Sequence, residues 1–213
     1  MANDRVAENE GVFGAAAEQY DKLQRALRDN GQLSTDAIIQ TGITAGLALE
    51  IGPGPGYLGL EWLKKTEGTK LKAVEISPDM IKLAIKNAAA YHVSGRVDYI
   101  LGKGQELPFM DNTFDAAFTN GSFHEWSDPV KVLSEIYRVL KPGGRFFVSD
   151  LRRDVEDVER LKKMVPPERH SGLLSSINAS YTTSEAEEIF GQTQFHDVNF
   201  AKNMFSLEIS GVK

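Results

Sequence analysis

No cysteine occurs among the 213 residues, which excludes disulfides, a thiolate nucleophile and cysteine-ligated metal. The four histidines, His92, His124, His170 and His196, are too scattered to form a metal-ligand pattern, so no metal is expected. Long apolar runs are missing as well. The stretches present are a few residues long against the roughly 20 needed to cross a bilayer, and no membrane span is expected. The opening MANDRVAENEG lacks the apolar segment of a secretory signal, which, with the missing cysteines, points to the cytoplasm. Basic residues are outnumbered 24 to 30, for a formal net charge of -6. Nucleic-acid affinity draws on Lys and Arg displacing condensed counterions, so a DNA or RNA partner is not expected.

What is present is the composition of a globular domain, 41% hydrophobic and 25% charged, in a chain long enough to bury one core with appended segments. Phe13, Ala16, Ala17, Tyr20, Leu23 and Leu27 recur at helical spacing over Val12 to Leu27, with Asn30-Gly31 as the C-cap. Strands and helices then alternate. Strands are read at 47–51, 71–76, 97–101, 114–119 and 145–150, with Lys141-Pro142-Gly143-Gly144 as the turn before the fifth. Ser77-Pro78 and Asp128-Pro129 each place a capping oxygen before a proline at the first helical position. Such alternation implies a parallel α/β sheet. The stretch 151–181, charged at first and broken by Pro166-Pro167, carries no strand signal and reads as an inserted helical cap. Thr182-Thr183-Ser184-Glu185 spells a capping box, and two closing strands near 195–201 and 204–210 are close enough in sequence to form only an antiparallel hairpin.

The first strand, Leu47 to Ile51, runs into Gly52-Pro53-Gly54-Pro55-Gly56 and then a helix. A glycine turn there lets a ligand touch backbone that a Cβ would otherwise hold away. The register differs from a dinucleotide fingerprint, since a start at Gly52 puts Tyr57 where the third glycine belongs, and no Gly-Lys-Ser/Thr follows for a nucleoside triphosphate. Glu75 closes the next strand about 20 residues on, the place from which a carboxylate accepts both ribose hydroxyls of an adenosine.

These residues resemble the class I S-adenosylmethionine-dependent methyltransferases, closest to the branch containing the ubiquinone/menaquinone biosynthesis C-methyltransferases. The likeness runs through Phe13 to Asp21, Leu49 to Gly56, Val74 to Met80, Gly102 to Phe109, Phe114 to Trp126 and Glu135 to Gly144, six motifs in order. It implies a Rossmann-like, doubly wound, mostly parallel seven-stranded sheet with a C-terminal antiparallel hairpin strand. A single domain is expected, with N-terminal helices forming a lid over 1–45, a cofactor core over 46–150, a helical cap insertion over 151–181 and the end of the sheet over 182–213. The cofactor implied is S-adenosyl-L-methionine, leaving as S-adenosyl-L-homocysteine, and the partner a small-molecule methyl acceptor. By the same resemblance Gly52, Gly54 and Gly56 bend around the methionine portion, Glu50 orders that loop and Glu75 holds the ribose. Ile76 and Met80 pack on adenine, and Lys103, Gly104 and Gln105 lie along its edge. Asn120 offers its carbonyl to the ammonium group, and Tyr20 closes over the cofactor. One position departs from the family pattern: Lys103 stands where aspartate usually accepts a hydrogen bond from the adenine amino group, and an ammonium has only donors.

For proton transfer His124 is the leading candidate base, because a neutral imidazole is available near pH 7. Glu125 and Asp150 are alternatives, and His124 has a pocket-shaping role as its plain structural reading. Phe123, Trp126 and Tyr181 are candidate walls for an apolar acceptor, though aromatics so placed also serve as core, and Arg152 and Arg153 are candidates to meet an acidic one. Two other functions share parts of this pattern. A non-catalytic or regulatory adenosylmethionine-binding protein fits the loop and the departure at Lys103, and a nicotinamide-dependent oxidoreductase fits the loop and Glu75 but lacks the pyrophosphate register.

Overall fold

The computed structural model describes residues 4–213, so residues 1–3 of the expected N-terminal unit lie outside the described part. Two helices, α1 (Ala15–Asp29) and α2 (Thr35–Gln40), precede the sheet. Then β1 (Leu47–Ile51), α3 (Tyr57–Lys65), β2 (Lys70–Glu75), α4 (Pro78–Ala90), β3 (Val97–Leu101), β4 (Phe114–Asn120), α5 (Pro129–Val139) and β5 (Leu140–Leu151) follow in sequence. The cap carries α6 (Val158–Lys162) and α7 (His170–Ala179), and α8 (Thr183–Phe190), β6 (Val198–Lys202) and β7 (Ser206–Val212) close the chain. The strands form one seven-stranded sheet in the order β3-β2-β1-β4-β5-β7-β6, with β7 antiparallel to both of its neighbours.

Each strand feeds two cores because successive side chains point to opposite faces. Leu49 and Phe146 face a cluster built with Val132, Leu133 and Ile136 of α5 and Phe190 of α8. Ala48 and Phe147 face the other, where Leu60, Trp62 and Leu63 of α3 and Ile38 of α2 pack. Local signals position the helices. Ser77 accepts the Met80 N–H at 3.3 Å and Asp128 the Lys131 N–H at 2.9 Å, and the Thr182–Glu185 capping box forms in both directions. At the end of α1, Gly31 takes φ +66° and donates to the Arg28 carbonyl, closing the helix as a C-terminal glycine does.

Several local bounds move: the first helix starts at Ala15, and the closing strands expected near 195–201 and 204–210 run over Val198–Lys202 and Ser206–Val212. Residues 141–144, expected as a turn, belong to an extended β5 that starts at Leu140. Leu140 pairs with Phe114 while Arg145 pairs with Ala116, so the Pro-Gly-Gly residues loop out as an irregularity within the ladder and do not end it.

The sheet order reverses at β1, whose neighbours are β2 and β4. Open α/β sheets bind ligands outside the carboxyl ends of the strands at such a switch point. Among the described residues no helix is long and apolar enough to cross a membrane, and no group of three or more His, Asp or Glu could hold a metal ion.

Candidate active site

A cleft of about 840 Å³, counting its space open to solvent, lies at that switch point. Its floor comes from the ends of four strands: Gly52 and Gly54 after β1, Glu75 on β2, Gly102 after β3 and Asn120 on β4. Gly52, Gly54 and Gly56 all have left-handed backbone, with φ of +62°, +54° and +87°, a conformation side chains other than glycine rarely adopt. Space is short too, since a Cβ on Gly52 would lie 2.3 Å from Ser122 Oγ and one on Gly56 2.6 Å from the Tyr99 hydroxyl. Asn87 of α4 pins the loop from behind, donating to the Pro55 carbonyl and to Asp21 of α1, both at 2.9 Å. No motif in the sequence flags Asn87, whose burial near the end of α4 only the fold reveals.

Two carboxylates stand against this loop in different states. Glu75 is buried and accepts the Gly54 N–H at 3.0 Å and the Ser77 N–H at 2.9 Å. Burial raises its pKa and the two N–H groups oppose that rise. Each oxygen keeps a further lone pair for a hydroxyl. Glu50, 2% exposed, has an Oε2 with no partner at hydrogen-bonding geometry among the described residues. Burial pushes it up to about 8, with the Gly59 N–H opposing and Glu75 adding to the rise. The loop is therefore an anion-poor cradle: the Gly54 N–H that would face a phosphate already serves a carboxylate.

Ile76 and Met80 line one wall and Lys103, Gly104 and Gln105 the rim. Gln105 donates to Glu10 at 2.6 Å and to Ser127 at 3.0 Å. Exposed Lys103 forms an isolated antiparallel backbone bridge with Glu106, and its ammonium adds to the Ser127 and Gln105 hydrogen bonds that hold the Glu10 carboxyl low against its burial. Asn120 is fixed through its side-chain oxygen, which accepts from Ser34 at 2.9 Å. The Tyr20 ring sits 3.4 Å from where a Cβ on Gly54 would stand, and its hydroxyl accepts from Gln24. All the residues expected at the cofactor thus surround one cleft, Gly56 and its neighbour Tyr99 just behind it.

The opposite end is made of side chains from distant segments. His124, on a 3-10 turn over Phe123–Glu125, is 5% exposed. Its Nδ1 lies 2.8 Å from Asp150 Oδ1 and its Nε2 3.4 Å from Glu8, while its backbone N–H donates to Asp150 Oδ2 at 2.8 Å. Burial alone would lower its pKa; the Asp150 carboxylate overrides that and, with Glu8, pushes it up to about 10. The neutral imidazole expected at His124 therefore gives way to one that holds its proton at pH 7, because both ring nitrogens face carboxylates. Arg5 donates to the carbonyls of Ala179 and His124 at 2.6 and 2.7 Å, with its guanidinium 4.3 Å above the Tyr181 ring. Sequence reading missed this N-terminal clasp, which no local pattern signals.

Arg152 and Arg153 do not point at an acceptor. Arg152 pairs with Asp154 and donates to the Asn203 carbonyl, and Arg153 pairs with Glu185 and donates to the Ser180 carbonyl. Phe123 and Tyr181 belong to the core, their ring centroids 4.7 Å apart, while Trp126 packs edge-on to Phe123 and also borders the cleft.

Comparison with known proteins agrees with this geometry. The family model described as a methyltransferase domain matches residues 49–148. The chain is 31% identical over 129 residues to the uncharacterized methyltransferase YdaC of Bacillus subtilis, covering 60% of this chain and 69% of that one. It is 31% identical over 145 residues to a ubiquinone/menaquinone biosynthesis C-methyltransferase of a Geobacter species, 64% of this chain and 60% of the relative. A crystal structure from Methanococcus maripaludis, assigned to the S-adenosyl-L-methionine-dependent methyltransferases, shares the fold with a TM-score of 0.77 at 22% identity, over 96% of this chain and 95% of that one. A doubly wound sheet with a glycine-turn cleft at its switch point defines the Rossmann-like α/β class. Within it, this chain belongs to the methyltransferase domain family. It spans about 60% of the length of the C-methyltransferase relatives it matches.

Proposed function

We propose that the protein transfers a methyl group from S-adenosyl-L-methionine to a small-molecule acceptor and releases S-adenosyl-L-homocysteine. The observation carrying this reading is the loop of three left-handed glycines whose central N–H is held by Glu75. A loop with no cation, whose Gly54 N–H is already taken by Glu75, offers a pyrophosphate no partner and leaves room for a sulfonium. When bound, the donor supplies an electrophilic methyl group on a sulfur that leaves neutral.

The chain's own residues then have to bind, orient and exclude water. Gly52, Gly54 and Gly56 admit the methionine portion, Glu50 backs the loop, Glu75 takes the ribose hydroxyls, and Ile76 and Met80 cover the adenine. Lys103, Gly104 and Gln105 border its edge, Asn120 faces the ammonium end, and Tyr20 closes from α1. Alignment of this kind contributes about 7–11 kcal/mol to a bimolecular transfer. A cytoplasmic setting belongs to the same proposal and rests on the cysteine-free composition.

Calorimetric titration with S-adenosyl-L-methionine and S-adenosyl-L-homocysteine tests it, with saturable association expected for both and a stronger response than for NAD. No association at millimolar concentration overturns the reading. Tight binding with no methyl released across a broad acceptor screen turns it toward a regulatory binding protein.

A further inference from the structure

The cofactor residues leave two cleft carboxylates over, Glu10, which is taken up by Gln105 and Ser127, and Glu125. Glu125 ends the 3-10 turn after β4 and lines the same cleft as Gly52, Asn120 and Tyr20. Its Oε2 accepts the Gly11 N–H at 3.1 Å, and no hydrogen bond reaches Oε1 among the described residues. Its neighbour His124 has no free lone pair to offer, being held between Asp150 and Glu8. Asp150 in turn is occupied by the His124 ring, the His124 N–H and its neighbour's N–H at Leu151. Of the three candidates at this end, only Glu125 presents an uncommitted proton-accepting atom to the cleft.

We infer that Glu125 is the catalytic residue that receives the acceptor's proton. The inference rests on the donor site proposed above. In the step, the acceptor's electron pair forms the new bond to the methyl carbon and the sulfur–carbon pair stays on sulfur. The proton from the acceptor's O–H, N–H or activated C–H goes to Glu125 Oε1. The groups facing this carboxylate are the His124 imidazolium on its own turn, Asp150 of β5, Glu8 of the N-terminal segment and the Tyr20 hydroxyl of α1. Burial pushes Glu125 up to about 7, the His124 charge opposes this, and Asp150 and Glu8 reinforce it. A base poised there is matched to proton transfer near neutral pH.

A test that needs no acceptor uses sinefungin, the donor analogue with an amine in place of the transferable methyl, against S-adenosyl-L-homocysteine, which has nothing there. A carboxylate beside that position gains a charge-assisted hydrogen bond with the ammonium. At pH 8 the protein is expected to prefer sinefungin by about tenfold or more. Glu125→Gln, whose amide oxygen still accepts the Gly11 N–H, should bring the preference to within about twofold and leave S-adenosyl-L-homocysteine affinity unchanged. Glu125→Asp should restore part of it. In the unsubstituted protein the preference should fade as pH falls through 7 and the carboxylate takes a proton. A preference that survives Glu125→Gln, or that stays constant from pH 9 to 5.5, overturns the role of Glu125. Failure of the unsubstituted protein to bind S-adenosyl-L-homocysteine overturns the donor site instead.

Discussion

At the proposed donor end of the cleft a ligand meets backbone: three left-handed glycines, whose own N–H groups are taken by Val74, Glu75 and Pro53, and carboxyl groups at the ends of β1 and β2. At the other end it meets groups drawn from distant segments, Asp150 of β5 among them. The clasp there joins Arg5 and Glu8 at the N-terminus, His124 and Glu125 after β4, and Ser176 and Ala179 of α7. Rigid strand ends fix the first end, and buried charges fix the second. One is therefore sensitive to added volume, the other to removed charge, and substitutions can test that division.

The largest effect is expected from Asp150→Ala. It strips a buried imidazole of its main partner and leaves the His124 N–H without an acceptor. Breaking a buried pair from one side costs about 3–5 kcal/mol, which for a chain of this size lowers the melting temperature by about 10 °C. Donor-end affinity, measured on the folded protein, should hold. Titration sharpens the same point. The His124 pKa is raised in the folded state, to about 10, above its unfolded value of about 6.5. Its contribution to stability is thus complete below about pH 6.5 and is lost as pH rises through about 10. Denaturant melts of His124→Gln should lose stability less steeply across that window than the unsubstituted protein. Parallel slopes would mean that the clasp carries no proton.

Second in size is Gly52→Val. A β-branched residue at φ +62° costs about 1–3 kcal/mol, and its Cβ would stand 2.3 Å from Ser122 Oγ. S-adenosyl-L-homocysteine affinity by calorimetry should fall by roughly ten- to a hundredfold. Arg5→Ala, at the other end, should leave it within about twofold, as sites with no shared partner behave independently. Equal losses in both variants would show that the two ends close as one unit.

The same division separates what could be read in the sequence from what could not. Strand β1, the glycines after it and Glu75 are neighbours in sequence or one βαβ unit apart, so period, turn chemistry and spacing announce them. Ser77, Asp128 and Thr182 cap their helices as their local patterns demand. The Arg5 contacts of the clasp join residues 119 and 174 positions apart, and a glutamate near an N-terminus carries no mark of the histidine it will meet. His124 itself was found as a residue but not as a state: its protonation depends on Asp150 and Glu8, which only tertiary packing brings together. Arg153 looks available in sequence because Ser180 and Glu185 lie 27 and 32 residues on, whereas Arg152 has Asp154 two residues away as well as Asn203 51 residues on. The Pro-Gly-Gly stretch in 141–144 has turn chemistry, yet pairing of Leu140 with Phe114 turned it into an irregularity inside a strand.

The smallest effect concerns Lys103 on the rim of the cleft. Its ammonium helps hold Glu10 ionised, and Glu10 in turn takes the Gln105 and Ser127 hydrogens. Lys103→Asp supplies the acceptor that an adenine amino group lacks here, worth about 0.5–1.5 kcal/mol, but sets a second carboxylate near Glu10, a repulsion of about 0.2–1 kcal/mol at a wet surface. Lys103→Asn supplies the acceptor without the charge. Both variants should tighten S-adenosyl-L-methionine binding, about two- to tenfold for Asn and less for Asp, with the gap between them closing as salt rises. Unchanged or weaker affinity in both would mean that adenine is read by backbone groups alone, and the donor end would then depend on main-chain contacts even more completely than the glycine loop implies.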